Sequence, residues 1–324
     1  MRYSPGLDGL RAVAILVVML FHANPDVLVG GYVGVDLFFV LSGFLITSIL
    51  VEEYRNTGAI DLPRFYLRRF LRLAPALLFM LAGYLLIAPL TWPGEPHLRD
   101  ALYAAFYITD FTLPAGMGPD HLVHSWSLSV EEQFYLLWPL LLVPLLRSGK
   151  AVPYVLLTLV AMFAWRAQFT DWKDHYYRID THSSGLLVGA LLHFIGWRTN
   201  RWVGSAGLAL FVLVTLFAKR EWNSPAILAT EIAAVMLIAS VADAKWLESP
   251  LLVHIGKLSY GLYLWHYPIA HYLRSRFDFF ETAALTLALS YVMALLSYHT
   301  VEAWSRRFKD RIGVRPVREV AFPG

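Results

Sequence analysis

The 324-residue sequence contains no cysteine. This absence excludes a disulfide framework, a thiolate metal site and a cysteine nucleophile. Charged residues make up only 16% of the chain, which is too few for an ordinary soluble domain. The sequence also has no glycine-rich phosphate loop, no His-Glu-x-x-His zinc pattern and no Gly-x-Ser-x-Gly nucleophile elbow. We therefore expect no bound metal, and a catalyst, if present, must use other residues.

What the sequence does contain is apolar: 57% of its residues are hydrophobic and its mean hydropathy is +0.52. This composition predicts an all-α integral membrane protein with about ten transmembrane helices, folded as one domain over residues 1–324 with a short tail from about 304. The predicted spans are 7–28, 31–51, 73–90, 125–146, 152–168, 183–197, 202–218, 225–242, 257–273 and 281–303. Residues 97–114 are apolar but interrupted by acids and a proline, which indicates an interfacial or re-entrant helix.

Most of the 27 lysines and arginines fall in the segments between alternate predicted spans and at the two chain ends. The positive-inside rule therefore predicts that both termini are cytoplasmic. The basic residues match this topology better than they match nucleic-acid binding, so we expect no nucleic-acid partner. We expect the chain after Arg311 to be loosely ordered.

The first predicted span carries Arg11 near its start and His22 near its end. Eleven residues of helix bring the two side chains to nearly the same face, about 16 Å apart along the axis. A lone histidine on an apolar helix is more often a packed core residue than a catalyst. Ionisable groups inside a membrane span are nevertheless rare and costly, so His22 is a candidate functional residue.

The second predicted span carries an acid at its outer end. Asp36 opens this span close to His22, where it can meet His22 or simply cap the helix and face water. Ser42 and Gly43, further along the same span, are small residues that suit close helix packing.

The loop 61–75 is the densest basic segment of the chain. Arg69 and Arg72 are three residues apart, so on a helix they share one face, with Arg68 beside them. Their guanidinium forks suit phosphate groups, although juxtamembrane arginines also follow from topology and bind anionic lipid.

Later segments add a polar group to each of three apolar spans. Glu131 and Glu132, followed by Gln133 and Tyr135, precede a wholly apolar run and indicate the polar lining of a cavity. Asp180 and His182 open the sixth span, where an unpaired surface cluster is the alternative. His266 lies among aromatic residues that suit an interfacial belt or the core, and a role as a packing partner is its alternative.

These segments, in this order, resemble the acyltransferase-3 family of bacterial membrane O-acyltransferases. The resemblance rests on Gly6-Leu-Asp-Gly-Leu-Arg11, Gly34-Val-Asp-Leu-Phe-Phe-Val-Leu-Ser-Gly43, Arg69-x-x-Arg72, Trp126-Ser-Leu-Ser-Val-Glu-Glu-Gln-Phe-Tyr135 and Tyr260-Gly-Leu-Tyr-Leu-Trp-His266. Each pattern is loose alone, but together they cover almost the whole chain. The sixth span departs from the family pattern, because His182 stands where relatives often have arginine.

The resemblance implies acyl transfer, most often of acetyl, from acyl-CoA to a hydroxyl of a cell-surface glycan or glycolipid. His22 would be the general base or a transient acyl carrier, with Arg11, Glu131 and Asp36 as further catalytic residues, Glu131 or Asp36 orienting the ring. The donor's phosphates would be held by Arg69, Arg72 and Arg68. Acceptor contacts are expected from Trp126, Ser127, Tyr135, Asp180, His182 and His266.

The resemblance also implies a multi-pass protein of the bacterial inner membrane, in contact with membrane lipid. Some relatives carry a fused extracytoplasmic SGNH-type domain, so we expect a stand-alone version or one that works with a separate extracytoplasmic transfer protein. Two other functions stay open at this point. One is acylation of a small secondary-metabolite sugar such as a macrolide sugar, and the other is glycan or lipid transport without acyl transfer.

Overall fold

The computed structural model describes residues 4–311, and these residues form helices joined by short connections. The predicted loosely ordered chain after Arg311 lies outside the described residues. Each predicted span corresponds to an observed helix, which confirms the all-helical fold. The α-helices are α1 Pro5–Ala23, α2 Gly34–Thr57, α3 Leu62–Thr91, α4 His97–Ala105, α5 Thr109–Thr112, α6 Ser125–Ser148, α7 Ala151–Arg166, α8 Trp172–Tyr176, α9 Ile179–His182, α10 Ser184–Ile195, α11 Arg201–Phe217, α12 Asn223–Ala239, α13 Pro250–Leu273, α14 Phe279–His299 and α15 Val301–Arg311.

Within residues 4–311, five segments are long and apolar enough to cross a membrane. They are Pro5–Ala23, Gly31–Thr57, Leu62–Thr91, Arg220–Ala239 and Phe279–Lys309. Three shorter helices, α7, α10 and α11, are apolar but have fewer than 18 residues. The expected count of ten spans is therefore not established, because length and hydropathy identify only half of them.

Helix α1 packs closely against α13, and this contact brings His22 next to His266. A Cβ atom added at Gly256 of α13 would lie 1.9 Å from the carbonyl oxygen of Asp8 in α1. Only glycine permits such a close approach of two backbones. The small residue therefore sets the distance between the two helices that carry the histidines.

Helix α2 packs in the same way against α10. A Cβ atom at Gly43 would lie 1.9 Å from the carbonyl oxygen of Leu186, and one at Gly189 would lie 2.1 Å from that of Val40. The prediction that Gly43 serves close helix packing agrees with this contact. The same packing places the first turn of α2, with Asp36, beside the start of α10.

The basic segment 61–75 is helical, where the sequence predicts a loop. It forms the first half of the 30-residue helix α3, which begins after Asp61, whose side chain accepts a hydrogen bond from the Arg64 amide at 3.0 Å. Pro75 lies inside the helix. The helix therefore begins about three turns before the predicted span, because the arginines that mark the membrane boundary belong to the same continuous helix.

Candidate active site: a histidine pair and an aromatic cavity

His22 lies in the last turn of α1, and its ring contacts two acceptors. Its Nδ1 atom is 3.0 Å from the carbonyl oxygen of Val18 and 3.2 Å from Nε2 of His266. The Nδ1 atom of His266 in turn lies 2.6 Å from the carbonyl oxygen of Tyr263. His266 is fully buried, so it supports the His22 ring from behind.

These contacts assign the tautomers of both rings. A carbonyl oxygen only accepts hydrogen bonds, so the Nδ1 atoms of His22 and His266 must both carry a proton. The Nε2 atom of His266 then has a lone pair, which accepts the Nδ1 proton of His22. Within residues 4–311, Nε2 of His22 has no hydrogen-bond partner, and its lone pair is left to act as a base.

His22 lines a cavity of about 240 Å³ whose wall is rich in aromatic rings. We call it the aromatic cavity. His124 belongs to the same wall, and its ring stacks on that of Tyr267 with a centroid distance of 5.1 Å. The residues that line the cavity are Phe21, His22, Pro25, Tyr32, Val35, Val123, His124, Trp126, Trp172, Tyr176, Tyr177, Arg220, Asn223, Tyr263, Tyr267 and Arg274.

The arginines of α3 gather near the opposite end of α1. Arg72 has exposed surface and lies within electrostatic range of Arg69, Arg11 and Glu131. The Arg69 guanidinium lies 4.4 Å from the centroid of the Tyr135 ring, a cation–π contact. We call Arg11, Arg69 and Arg72 the arginine cluster. Along the axis of α1, eleven residues or about 16 Å separate Arg11, the member of the cluster on that helix, from His22.

Glu131 lies near the arginine cluster and not beside the His22–His266 pair. Its Oε1 atom accepts short hydrogen bonds from the hydroxyls of Ser42 and Tyr135. Arg11 is paired with Asp8 at 2.8 Å, and Arg68 is paired with Glu53 at 3.6 Å. Arg68, which the sequence analysis assigns to the phosphates of acyl-CoA, therefore forms an ion pair with a carboxylate of α2.

The sequence predicts Arg11 and His22 on nearly the same face of the first helix, but the aromatic cavity is lined by His22 and not by Arg11. Tyr263 lines that cavity, and its hydroxyl lies 2.5 Å from Oγ of Ser127 and donates to the carbonyl of His124. Tyr263 is also within electrostatic range of Glu131. The Tyr263 hydroxyl therefore links the wall of the aromatic cavity to Ser127 and to the His124 carbonyl.

Asp36 is fully buried, which contradicts the water-facing alternative, and its hydrogen-bond partner is His182 rather than His22. Its Oδ1 atom lies 2.7 Å from Nε2 of His182, and Nδ1 of His182 contacts the carbonyl of Tyr176. The His182 ring stacks on Trp126, with centroids 4.9 Å apart and planes at 23°. The Asp36–His182 pair thus supports one wall of the aromatic cavity from behind.

The expectation that Glu131 or Asp36 orients the His22 ring is therefore wrong for this structure. The two carboxylates are engaged elsewhere, and the observed partner is His266. His182 is likewise a buried partner rather than part of an exposed, unpaired cluster. The sequence could not show these pairs, because their members are more than 140 residues apart.

Asp180 lies away from the aromatic cavity. Its carboxylate accepts hydrogen bonds from Arg178 at 2.9 and 2.7 Å and from the indole of Trp165 at 2.9 Å. The hydrogen bond from Arg178 lowers the pKa of Asp180. Asp180 lines a different cavity, shared with Asp110, so the structure does not bring it together with His22.

The structure places the predicted acceptor contacts in different positions. Trp126 lines the aromatic cavity. Ser127 is buried and bonded to Tyr263, whereas Tyr135 lies beside the arginine cluster. His182 and His266 lie behind the cavity wall rather than in it.

Sequence reasoning missed several residues that the structure brings to the site. His124 and Tyr267 lie next to the histidine pair, and Arg220 and Arg274 line the same cavity. A second buried group joins Arg166 to Glu231 through Ser184, with bonds of 2.6 and 2.5 Å. Glu231 could have been found, because a carboxylate in the middle of an apolar span is rare. Within residues 4–311, no group of three or more His, Asp or Glu side chains is placed to hold a metal ion.

Comparison with known proteins gives a consistent family signal. Residues 4–298 match the family model described as an acyltransferase domain, Acyl_transf_3. The O-acetyltransferase OatA of Staphylococcus aureus strain NCTC 8325 is 35% identical over 94% of this chain, and OatA of strain MRSA252 gives the same values. The chain spans 58% of the length of these relatives. No solved structure is significantly similar to it.

Proposed function

The chain belongs to the acyltransferase-3 family, and we propose that it is a membrane O-acyltransferase that moves an acetyl group from acetyl-CoA to a hydroxyl of a glycan or glycolipid. The observation that carries this proposal is the histidine pair. The Nδ1 proton of His22 is tied to Val18 and His266, and its Nε2 lone pair is left in a cavity large enough for a sugar ring.

In the proposed reaction, Nε2 of His22 takes the proton of the acceptor hydroxyl as that oxygen attacks the thioester carbonyl. The carbon–sulfur bond breaks, and the leaving CoA sulfur takes the proton back from the imidazolium. His266 accepts a hydrogen bond from Nδ1–H of His22 throughout the reaction, and this bond stabilises the positively charged His22 ring. An acid–base group in this position contributes about 10²–10⁴-fold in rate.

We place the nucleotide end of acetyl-CoA at the arginine cluster. Guanidinium groups bind phosphate through paired, charge-assisted hydrogen bonds, and Arg69 and Arg72 lie on one face of α3. The pantetheine arm would then run along α1 for about 16 Å to His22.

The distribution of basic residues supports a multi-pass protein of the bacterial cytoplasmic membrane, with the arginine cluster on the cytoplasmic side. Acetyl-CoA would then enter from inside the cell. The aromatic cavity, at the other end of α1, would take its acceptor from the opposite side. A separate extracytoplasmic protein that receives the acetyl group is compatible with this arrangement.

The test is acetyl transfer by the purified full chain in detergent, measured as CoA release and as acetylated product. We expect His22→Ala to lower both rates by at least about 10²-fold with an unchanged melting temperature. The matched control is His254→Ala, because His254 is exposed and bonded to Tyr291 at 2.9 Å. Transfer by His22→Ala at a tenth of the wild-type rate would remove His22 from the mechanism, and no CoA release by wild type would favour a transporter.

A further inference from the structure

The aromatic cavity has a charge of one sign. Its wall contains two arginines, Arg220 and Arg274, and neither aspartate nor glutamate. Both arginines are exposed, so they mark the side on which the cavity opens. Among the described side chains, neither forms an ion pair with a carboxylate. Their charge is therefore available to a ligand.

Arg220 is held over the cavity by two rings. Its guanidinium carbon lies 5.6 Å from the ring centroids of both Phe21 and Trp172. The Phe21 ring lies 5.0 Å from the ring of His22. Cation–π contacts fix the guanidinium without using its N–H donors in ion pairs. The Phe21 ring thus lies next to both the charge of Arg220 and the ring of His22, the proposed base.

Arg274 follows the last residue of α13, the helix that carries His266. Its Nη2 atom lies 2.7 Å from Nδ1 of His271, an acceptor that carries no negative charge. Arg274 is also within electrostatic range of His22 and Tyr267. It therefore approaches the same reacting centre from the α13 side.

Topology gives no reason for this arrangement. Arg220 and Arg274 lie in connections that the sequence assigns to the extracytoplasmic side, where the positive-inside rule disfavours arginine. A guanidinium at a cavity mouth suits the planar oxygens of a carboxylate or phosphate. The aromatic walls offer flat faces for a sugar ring, and about 240 Å³ is enough for one ring but not for an oligosaccharide.

We infer that the aromatic cavity takes an anionic saccharide as acceptor, with a carboxylate or phosphate bound by Arg220 and Arg274 and the hydroxyl presented to His22. This inference rests on the proposed function and narrows its acceptor to a charged class. The two arginines act as specificity residues, because they bind the charge on the sugar and not the hydroxyl that reacts. The rest of the acceptor extends out of the cavity past them.

The test compares three acceptors with acetyl-CoA as donor: methyl glucoside, methyl glucuronide and glucose 1-phosphate. For wild-type protein in neutral detergent, we expect kcat/KM to be at least about tenfold higher for a charged acceptor than for methyl glucoside. The double variant Arg220→Gln/Arg274→Gln should lose this preference, so that the ratio of kcat/KM for a charged acceptor to kcat/KM for methyl glucoside falls to about one. The two charged sugars separate carboxylate from phosphate recognition.

The matched control is Arg276→Gln. Arg276 lies on the same side of the molecule, but its guanidinium stacks on Tyr272 at 3.7 Å and donates to the Tyr272 carbonyl, outside the cavity wall. We expect this variant to keep the wild-type preference. Equal loss of preference in Arg276→Gln would show that general surface charge, rather than the cavity, attracts the acceptor.

Binding is read separately as the rise in melting temperature with each sugar, since a ligand of the folded state stabilises it. A rise with an anionic sugar that disappears in the double variant supports the inference, even where transfer to a short acceptor is slow. Equal responses to charged and neutral sugars, or none to any, would overturn it. A higher KM for acetyl-CoA in the double variant would instead assign the arginines to the donor. These outcomes differ from failure of the proposed function, in which wild-type protein turns over no acetyl-CoA.

Discussion

The Nδ1 atom of His22 lies 3.2 Å from Nε2 of His266, which joins the end of α1 to the middle of α13 through two imidazole rings. In many histidine catalysts a carboxylate occupies the second position. A neutral imidazole accepts the same proton without adding a charge to a buried site, where an unpaired charge is costly. The orientation of His22 therefore depends on a buried side chain that is not among the residues lining the aromatic cavity.

Removal of the His266 ring should uncouple His22 from its partner. We expect His266→Phe to lower kcat about 10²-fold, because the His22 ring loses its fixed tautomer and orientation. The KM for acetyl-CoA should stay within about twofold, since the arginine cluster is untouched. The measurement is steady-state acetyl transfer by purified protein, with the melting temperature recorded for each variant.

The companion variant is His266→Asn, which keeps a hydrogen-bond acceptor on a smaller side chain. It should retain more activity than His266→Phe at a similar melting temperature. A drop in kcat that is the same for both variants and follows the loss of folded protein would assign His266 to packing alone.

The helices and the polar groups within them could be predicted because their signals are local. A run of apolar residues identifies each helix, and Arg11, His22 and Glu131 stand out as ionisable groups within such runs. The pairing of these groups could not be predicted from one sequence. Asp36 meets His182, and His22 meets His266, only because glycines bring α2 to α10 and α1 to α13.

The aromatic cavity was hidden for a related reason. Trp172 and Tyr176 lie in the five-residue helix α8, and Arg220 lies in the connection between α11 and α12. Single-sequence patterns carry little information in such short segments. The prediction of a loop at 61–75 is also wrong, because this dense basic segment forms the first half of a long helix. Charge marks the membrane boundary, but it does not by itself end a helix.

The buried Asp36–His182 pair should contribute strongly to stability. We expect Asp36→Ala to lower the free energy of unfolding by about 3–5 kcal/mol, because it leaves a buried imidazole without its partner. Asp36→Asn keeps a polar group opposite Nε2 of His182 and should cost less. The measurement is thermal unfolding in detergent, followed by intrinsic fluorescence.

Asp180→Asn is the control for that experiment, because Asp180 also pairs with a basic residue but keeps 40% of its side chain exposed. A solvated pair of this kind contributes less than about 1 kcal/mol. Equal destabilisation by Asp36→Ala and Asp180→Asn would show that burial of the Asp36 pair does not govern its contribution.

Substitutions of different arginines of α3 should change the KM for acetyl-CoA by different amounts. We expect Arg72→Gln to raise the KM for acetyl-CoA about tenfold with little change in kcat, because a phosphate contact supports ground state and transition state alike. Arg68→Gln should change this KM by less than about twofold, since Arg68 is engaged by Glu53. Initial rates over a range of acetyl-CoA concentrations give both constants. A larger effect from Arg68→Gln would place the phosphates nearer α2.

Asp110, in the short helix α5 and outside the spans, should make stability depend on pH. It is fully buried, its Oδ1 atom accepts from Gln133 at 2.9 Å, and burial raises its pKa from 3.8 to about 6. Between these two values the folded state holds a proton that the unfolded chain releases. Stability therefore falls as pH rises through this window and stays lower above it.

The substitution Asp110→Asn removes this dependence, because an asparagine side chain is neutral throughout and keeps the oxygen that accepts from Gln133. We expect Asp110→Asn to change the free energy of unfolding, relative to wild type, more favourably at pH 8 than at pH 4, by about 2 kcal/mol. The measurement is thermal unfolding of both proteins at each pH. The same difference between the two proteins at both pH values would mean that Asp110 keeps its charge when folded, with a bound water satisfying its second oxygen.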